Sequence, residues 1–140
     1  MISFDEVLAA IAGDLPAVSG KRTTAQHVDH CAASIVASID GYATARPWLV
    51  RATIGRLVKA RFLARGAMSH DTLAPLPGAT ELPDRPLPEA RAALIVAIAR
   101  FRAHRGALAP HPLYGVCTAA EYQQLHAIHV ADHLRAVRGR

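Results

Sequence analysis

Near the C-terminal end of the chain, His129 and His133 stand four residues apart in the stretch Leu125-His-Ala-Ile-His-Val-Ala-Asp-His-Leu134. On a helix that spacing puts both imidazoles on one face, about 6 Å apart along the axis, where both can reach a single ion. His126 precedes them by three and seven residues. At about 100° per residue, Tyr122, His126, His129 and His133 form one stripe, flanked by Leu125, Val130, Leu134 and Val137. Glu121, Gln124, Asp132 and Arg135 gather elsewhere on the circumference, so Asp132 reads as a surface residue. The histidines face inward, where an imidazole without a partner is costly.

A second stripe answers the first. Along Thr23-Thr-Ala-Gln-His-Val-Asp-His-Cys-Ala-Ala-Ser-Ile-Val-Ala-Ser-Ile39, His27, His30, Cys31, Ser34 and Ser38 share a face bordered by Val28, Ile35 and Ile39. Two amphipathic helices that pack through such faces bring their rings together. Imidazole nitrogens suit zinc, nickel, copper or iron, and three protein ligands leave a position for water or substrate, the pattern of a catalytic rather than a closed structural site. The expected ligands are His30, His129 and His133. His27 either replaces His30 or sits at the rim, and His126 is either a reserve ligand or a support for one.

Other residues admit two readings each. Cys31 reads as a small buried hydrophobe ahead of a ligand or reactive thiol. Ser34 bonds either a ligand imidazole or substrate, or its own helix backbone. His111, between Pro110 and Pro112, either lines the site mouth or belongs to a rigid turn. His70 and His104 read as surface residues, and Trp48 and Phe62 as core. Val130 rather than Glu follows His129, so the H-E-x-x-H metalloprotease signature is absent and protease chemistry is disfavoured.

The elements that must position these groups are helices. Ser3 with Glu6, Thr23 with Gln26 and Thr118 with Glu121 make capping boxes that open helices over about residues 3 to 12, 23 to 40 and 118 to 137. Pro47 starts a helix that Gly66 ends, and Pro88 with Glu89 begins another that ends near Gly106. Residues 67 to 87 hold Pro75, Pro77, Gly78, Pro83 and Pro86, too many breakers for a regular element, so a long crossover lies on the surface there. Five helical segments with one long connection describe an antiparallel bundle whose chain order includes a crossover, and bundle cores are where facing helices assemble metal sites.

The whole chain fits that picture. Its 140 residues, 51% hydrophobic, suit one domain spanning residues 1 to 140. No apolar run is long enough to span a membrane, and the N-terminus lacks a basic region followed by an apolar stretch, which points to the cytoplasm. Cys31 and Cys117 are too few for a disulfide framework and read as thiols. The net charge of +5 raises nucleic-acid binding. Against it, Arg51, Arg56, Lys59, Arg61 and Arg65 spread around their helix instead of forming a stripe, and aromatic residues, 5% of the chain, do not interleave with them.

These motifs are where the chain resembles the DinB-like superfamily of bacterial metal-binding helix bundles. His30-Cys-Ala-Ala-Ser-Ile35 with Asp40-Gly-Tyr42, then Pro75-Leu-Pro-Gly-Ala79, Pro110-His-Pro-Leu-Tyr-Gly115 and Leu125 to Leu134, look like an uncharacterised subfamily of that group. The resemblance covers about residues 20 to 137 and rests on the joint order of the four motifs. It implies an all-α, up-down-down-up four-helix bundle with a divalent metal, usually zinc or nickel, held at one end by His30, His129 and His133. Characterised members include transferases that use bacillithiol, mycothiol or glutathione, and a metal-dependent isomerase. The short first helix and the extra helix of residues 47 to 65 depart from the pattern, so the pocket need not match that of the transferases.

The expectation is therefore a metal-dependent enzyme that activates water or a low-molecular-weight thiol for transfer or hydrolysis of a small molecule, with neither nucleic acid nor membrane as partner and a homodimer as a plausible assembly. Its rivals are a non-catalytic small-molecule or stress-response bundle with a structural or vestigial metal, and a helical interaction module without metal.

Overall fold

All three capping boxes form. The Ser3, Thr23 and Thr118 hydroxyls accept from the backbone N–H of Glu6, Gln26 and Glu121, whose side chains reach back to the cap residues' own N–H groups. Two orphan donors are satisfied at each helix start, which is worth about 1 kcal/mol per cap. The computed structural model describes residues 1–18, 21–79 and 82–139. Among these residues there are six helices: α1 Phe4–Ala12, α2 Thr24–Asp40, α3 Trp48–Ala52, α4 Ile54–Arg65, α5 Leu87–Ala103 and α6 Ala119–Arg138. The fold is all-α; among the described residues the sole β pairing is an isolated bridge between His111 and Gly115.

Contacts between helix ends fix their directions. Asp40, the last residue of α2, pairs with Arg100 in the last turn of α5, while Asp29 of α2 accepts two bonds from Arg85, just before α5 begins. These two helices run the same way. α6 runs against them, since His126 meets Ser38 and His133 meets His27. α1 follows α6, with Gln124 donating to the Ile2 carbonyl near one end and Arg138 to that of Ala10 near the other. The parallel pair explains the crossover: consecutive long helices can share a direction only if the chain returns outside them, and residues 41–86, with α3 and α4, make that return.

The core lies between α1, α2, α5 and α6. Phe4, Val7, Ile11, Ile35, Leu94, Ile98, Tyr122 and Ile128 are buried there, and Phe4 meets Phe101 edge to face at 5.9 Å. Cys31 and Cys117 are buried and unbridged. No helix among the described residues is long and apolar enough to cross a membrane.

Three expectations need correction here. The helix read from Pro47 to Gly66 is two, because Thr53 takes a non-helical backbone (φ −116°, ψ −91°) and its hydroxyl donates to the Leu49 carbonyl. The break seats Gly55 against the 111–115 turn so tightly that a Cβ there would overlap the Leu113 carbonyl oxygen. Trp48 is not core: α3 sits outside the main helices and leaves the indole 71% exposed. The crossover is not wholly superficial either, since Met68 is buried. Phe62 is half-buried, its ring set edge-on to Tyr114.

Candidate metal centre

His30 on α2 and His129 and His133 on α6 come together, each offering one ring nitrogen, with these atoms within 4.8 Å of one another. The antiparallel packing of α2 on α6 does this: one turn of α6 separates His129 from His133, and His30 enters from the facing helix. Ring centroids lie 4.7 Å apart for His129 and His133, 4.8 Å for His30 and His133, and 5.3 Å for His30 and His129. His30 and His133 are buried and His129 is half-buried.

Burial sets the charge of this cluster. Loss of solvent, with the charges of Arg22 and of neighbouring histidines added, lowers His30 to about 3 and pushes His133 further down. His129 falls well below the usual imidazole range for the same first cause, with His133 and His30 next. The rings are thus neutral at pH 7 and carry lone pairs that a cation can use. His133 Nε2 stands 3.1 Å from His129 Nε2. Two nitrogens bound to one tetrahedral zinc at about 2.0–2.1 Å lie roughly 3.4 Å apart, so the donor set fits a borderline divalent ion.

The flanking histidines divide. His27 Nδ1 faces His133 Nδ1 at 2.9 Å, so His27 touches the side of His133 away from His129 and is not among the three. His126 Nε2 pairs with the Ser38 hydroxyl at 3.0 Å, and its ring stacks on Tyr122; burial holds it at about 3. It is a hydrogen-bonded core histidine, outside the cluster. Ser34 donates to the His30 carbonyl at 2.8 Å, the backbone bond open to any helical serine. Cys31, 1% exposed, has its thiol pushed far up by burial and sits as a small hydrophobe.

His111 belongs to a turn. Its Nδ1 accepts from the Leu113 and Tyr114 N–H groups at 3.0 and 3.1 Å, which fixes the turn and leaves the ring proton on Nε2. The ring stacks on Tyr114 at 4.0 Å and lines a cavity of about 650 Å³, and burial lowers it to about 4. That cavity, bounded mainly by Val50, Met68, Leu76, Pro77, Leu113 and Leu125, also meets Ser34, His126, His129, Arg46, Tyr42 and Tyr122. The histidine cluster therefore opens on an apolar chamber through His129.

Two residues read as surface lie beside the cluster, and one of them, His70, lines the chamber. His70, on the crossover, lies with its ring 4.9 Å from that of His129 and 5.1 Å from that of His133. Asp132, 2% exposed, pairs through Oδ2 with His70 Nδ1 at 2.7 Å and through Oδ1 with Arg135. The physical reason is the crossover: residues after Gly66 fold over that side of α6, and helical periodicity cannot reveal a cover supplied from elsewhere. His104 does lie at the surface, where Nε2 meets the Ala107 carbonyl. Arg22, which no motif singled out, is buried and donates to the carbonyls of Thr72, Leu73 and Ala74, clamping the segment just beyond His70.

A family model described as "Protein of unknown function (DUF1569)" matches residues 11–140. No curated protein and no solved structure matches the chain.

Proposed function

The chain belongs to the DUF1569 family, whose description assigns no chemistry, and from its own site we propose that it is a metal-dependent enzyme, a thiol-dependent transferase or hydrolase acting on a small molecule. His30, His129 and His133 hold the divalent ion, zinc or nickel. The observation that carries this reading is the convergence of three neutral imidazoles, one of which, His129, lines an apolar chamber of about 650 Å³, the combination that a substrate site needs. The directions of α1, α2, α5 and α6, with a crossover between the parallel pair, support the further reading of a DinB-like up-down-down-up bundle.

When bound, the ion supplies Lewis acidity that lowers the pKa of a thiol or water. The chain's residues do the rest. With the proton shared between His27 Nδ1 and His133 Nδ1 carried on His133, the lone pair of His133 Nε2 turns toward the cluster. The apolar walls, Val50, Met68, Leu76 and Leu113 among them, take up the carbon skeleton of the substrate and exclude water. Arg46, which also lines the chamber, is placed to pair with a carboxylate of a low-molecular-weight thiol. Charge spread around α4 and the absence of a spanning helix among the described residues fit a small-molecule substrate in the cytoplasm better than nucleic acid or lipid.

Elemental analysis tests the first step: purified protein is expected to carry about one divalent ion per chain and His129→Ala to lose it, since the ligand set is the binding energy. Full occupancy in His129→Ala removes the assignment. Titrating a thiol into the cobalt(II) form then tests the second, with a new sulfur-to-metal absorption band expected. A spectrum that ignores the thiol reduces the protein to a metal-containing binding bundle.

A further inference from the structure

His70 reaches the cluster from outside the helices. Its Nε2 stands 3.3 Å from His133 Nε2, next to the 3.1 Å separation of His133 and His129. Both distances approach the roughly 3.4 Å edge of a tetrahedron of nitrogens about 2.0–2.1 Å from zinc. Its ring is as near to His129 and His133, at 4.9 and 5.1 Å, as that of His30, at 5.3 and 4.8 Å. His30 and His70 thus flank the same pair, one from α2 and one from the crossover.

The other ring nitrogen is held. Asp132, buried and itself bonded to Arg135, meets His70 Nδ1 at 2.7 Å. A carboxylate this close favours the ring proton on Nδ1, which leaves the Nε2 lone pair pointing the opposite way, the arrangement by which metal-bound histidines are commonly oriented. The segment is fixed on both sides of the ring, by the buried Met68 before it and by the bonds from Arg22 to Thr72, Leu73 and Ala74 after it. Nothing in this construction is needed by a solvated surface histidine.

We propose that His70 is a fourth metal ligand, delivered by the crossover and oriented by Asp132, so that the site has one imidazole whose attachment is independent of the helix core. The proposal rests on the three-histidine reading and deepens it: with His70 bound the four-coordinate site is closed, and a thiol or water enters by displacing this one imidazole. It makes the crossover, and with it the wall of the chamber, part of the coordination sphere.

The test uses the full chain with zinc(II) and cobalt(II) salts alone. Adding zinc to the wild-type protein is expected to move the ¹⁵N resonance of His70 Nε2 into the range of ligated imidazole, together with those of the helix histidines. A His70 signal that stays in place while theirs move overturns the fourth ligand and leaves the three-histidine site standing. Competition with a chromophoric chelator is expected to show at least a tenfold weaker zinc affinity in His70→Ala, with weaker cobalt d–d bands as water replaces a nitrogen. Asp132→Asn is expected to lose less affinity and to change the tautomer of His70 in the metal-free spectrum. Unchanged affinity and unchanged cobalt bands in His70→Ala overturn the proposal. Loss of zinc-induced shifts from every histidine in the wild-type protein instead overturns the underlying reading.

Discussion

The Nδ1 atoms of His27 and His133 face each other across α2 and α6 at 2.9 Å. One proton satisfies both, and if it sits on His133 then His133 Nε2 is bare and available to the cluster. His27→Ala is therefore expected to retain the ion but to weaken it about 10–100-fold, as removal of such supporting partners does. Chelator competition checks this; wild-type affinity in His27→Ala would show that the contact orients nothing.

Acid should weaken the metal-free protein through its buried imidazoles. His30 and His126 are held at about 3 and His111 at about 4 by burial, below the unfolded value of about 6.5. The unfolded chain then binds protons that the folded one refuses, so stability is full above pH 6.5 and falls as pH drops toward 4. Each ring contributes up to about 1.4 kcal/mol per pH unit in that window. Urea midpoints at pH 7.5 and pH 5 in excess chelator measure it, and equal midpoints would refute the neutral-ring account.

Gly55→Ala is expected to cost about 1–3 kcal/mol or more, because the new Cβ would overlap the Leu113 carbonyl oxygen and crowd its carbonyl carbon, backbone atoms that cannot swing aside. The same turn carries His111 and lines the chamber, so the variant should lose affinity for apolar ligands along with melting temperature. A thermal scan that matches wild type would mean that α4 can slide away from the turn without penalty.

Arg22→Gln removes the guanidinium from three carbonyls of the crossover. Faster amide exchange is expected across residues 70–76, with the exchange of α2 and α6 unchanged, since locally anchored segments open at low cost when the anchor goes. Equal protection of residues 70–76 in both proteins would show that the clamp is not what holds them.

Helix starts and the shared face of His129 and His133 were legible in the sequence because both depend on spacings inside single helices. Ser3, Thr23 and Thr118 act within three residues of themselves, and the two histidines of α6 share a turn. His70 and Asp132 were not legible, since their burial depends on which way a proline-rich connection folds after Gly66. Trp48 was misread for a related reason: a large apolar side chain signals core only when its helix packs inward, and α3 does not. The break at Thr53 is set by the close approach of Gly55 to Leu113, nearly sixty positions away. Arg22 carried no signal at all, being one of two cations, after Lys21, before a capping threonine.

Because α2 and α5 share a direction, the polypeptide has to travel the height of the bundle once without being part of its frame. That return strand of chain carries Met68 and His70 and lays Leu76 and Pro77 along the chamber. Substitutions there can reshape what the protein admits while the four main helices keep their mutual fit. Divergence in selectivity among related chains should accordingly accumulate between residues 41 and 86, and grafting that stretch from one relative to another should carry ligand preference with it.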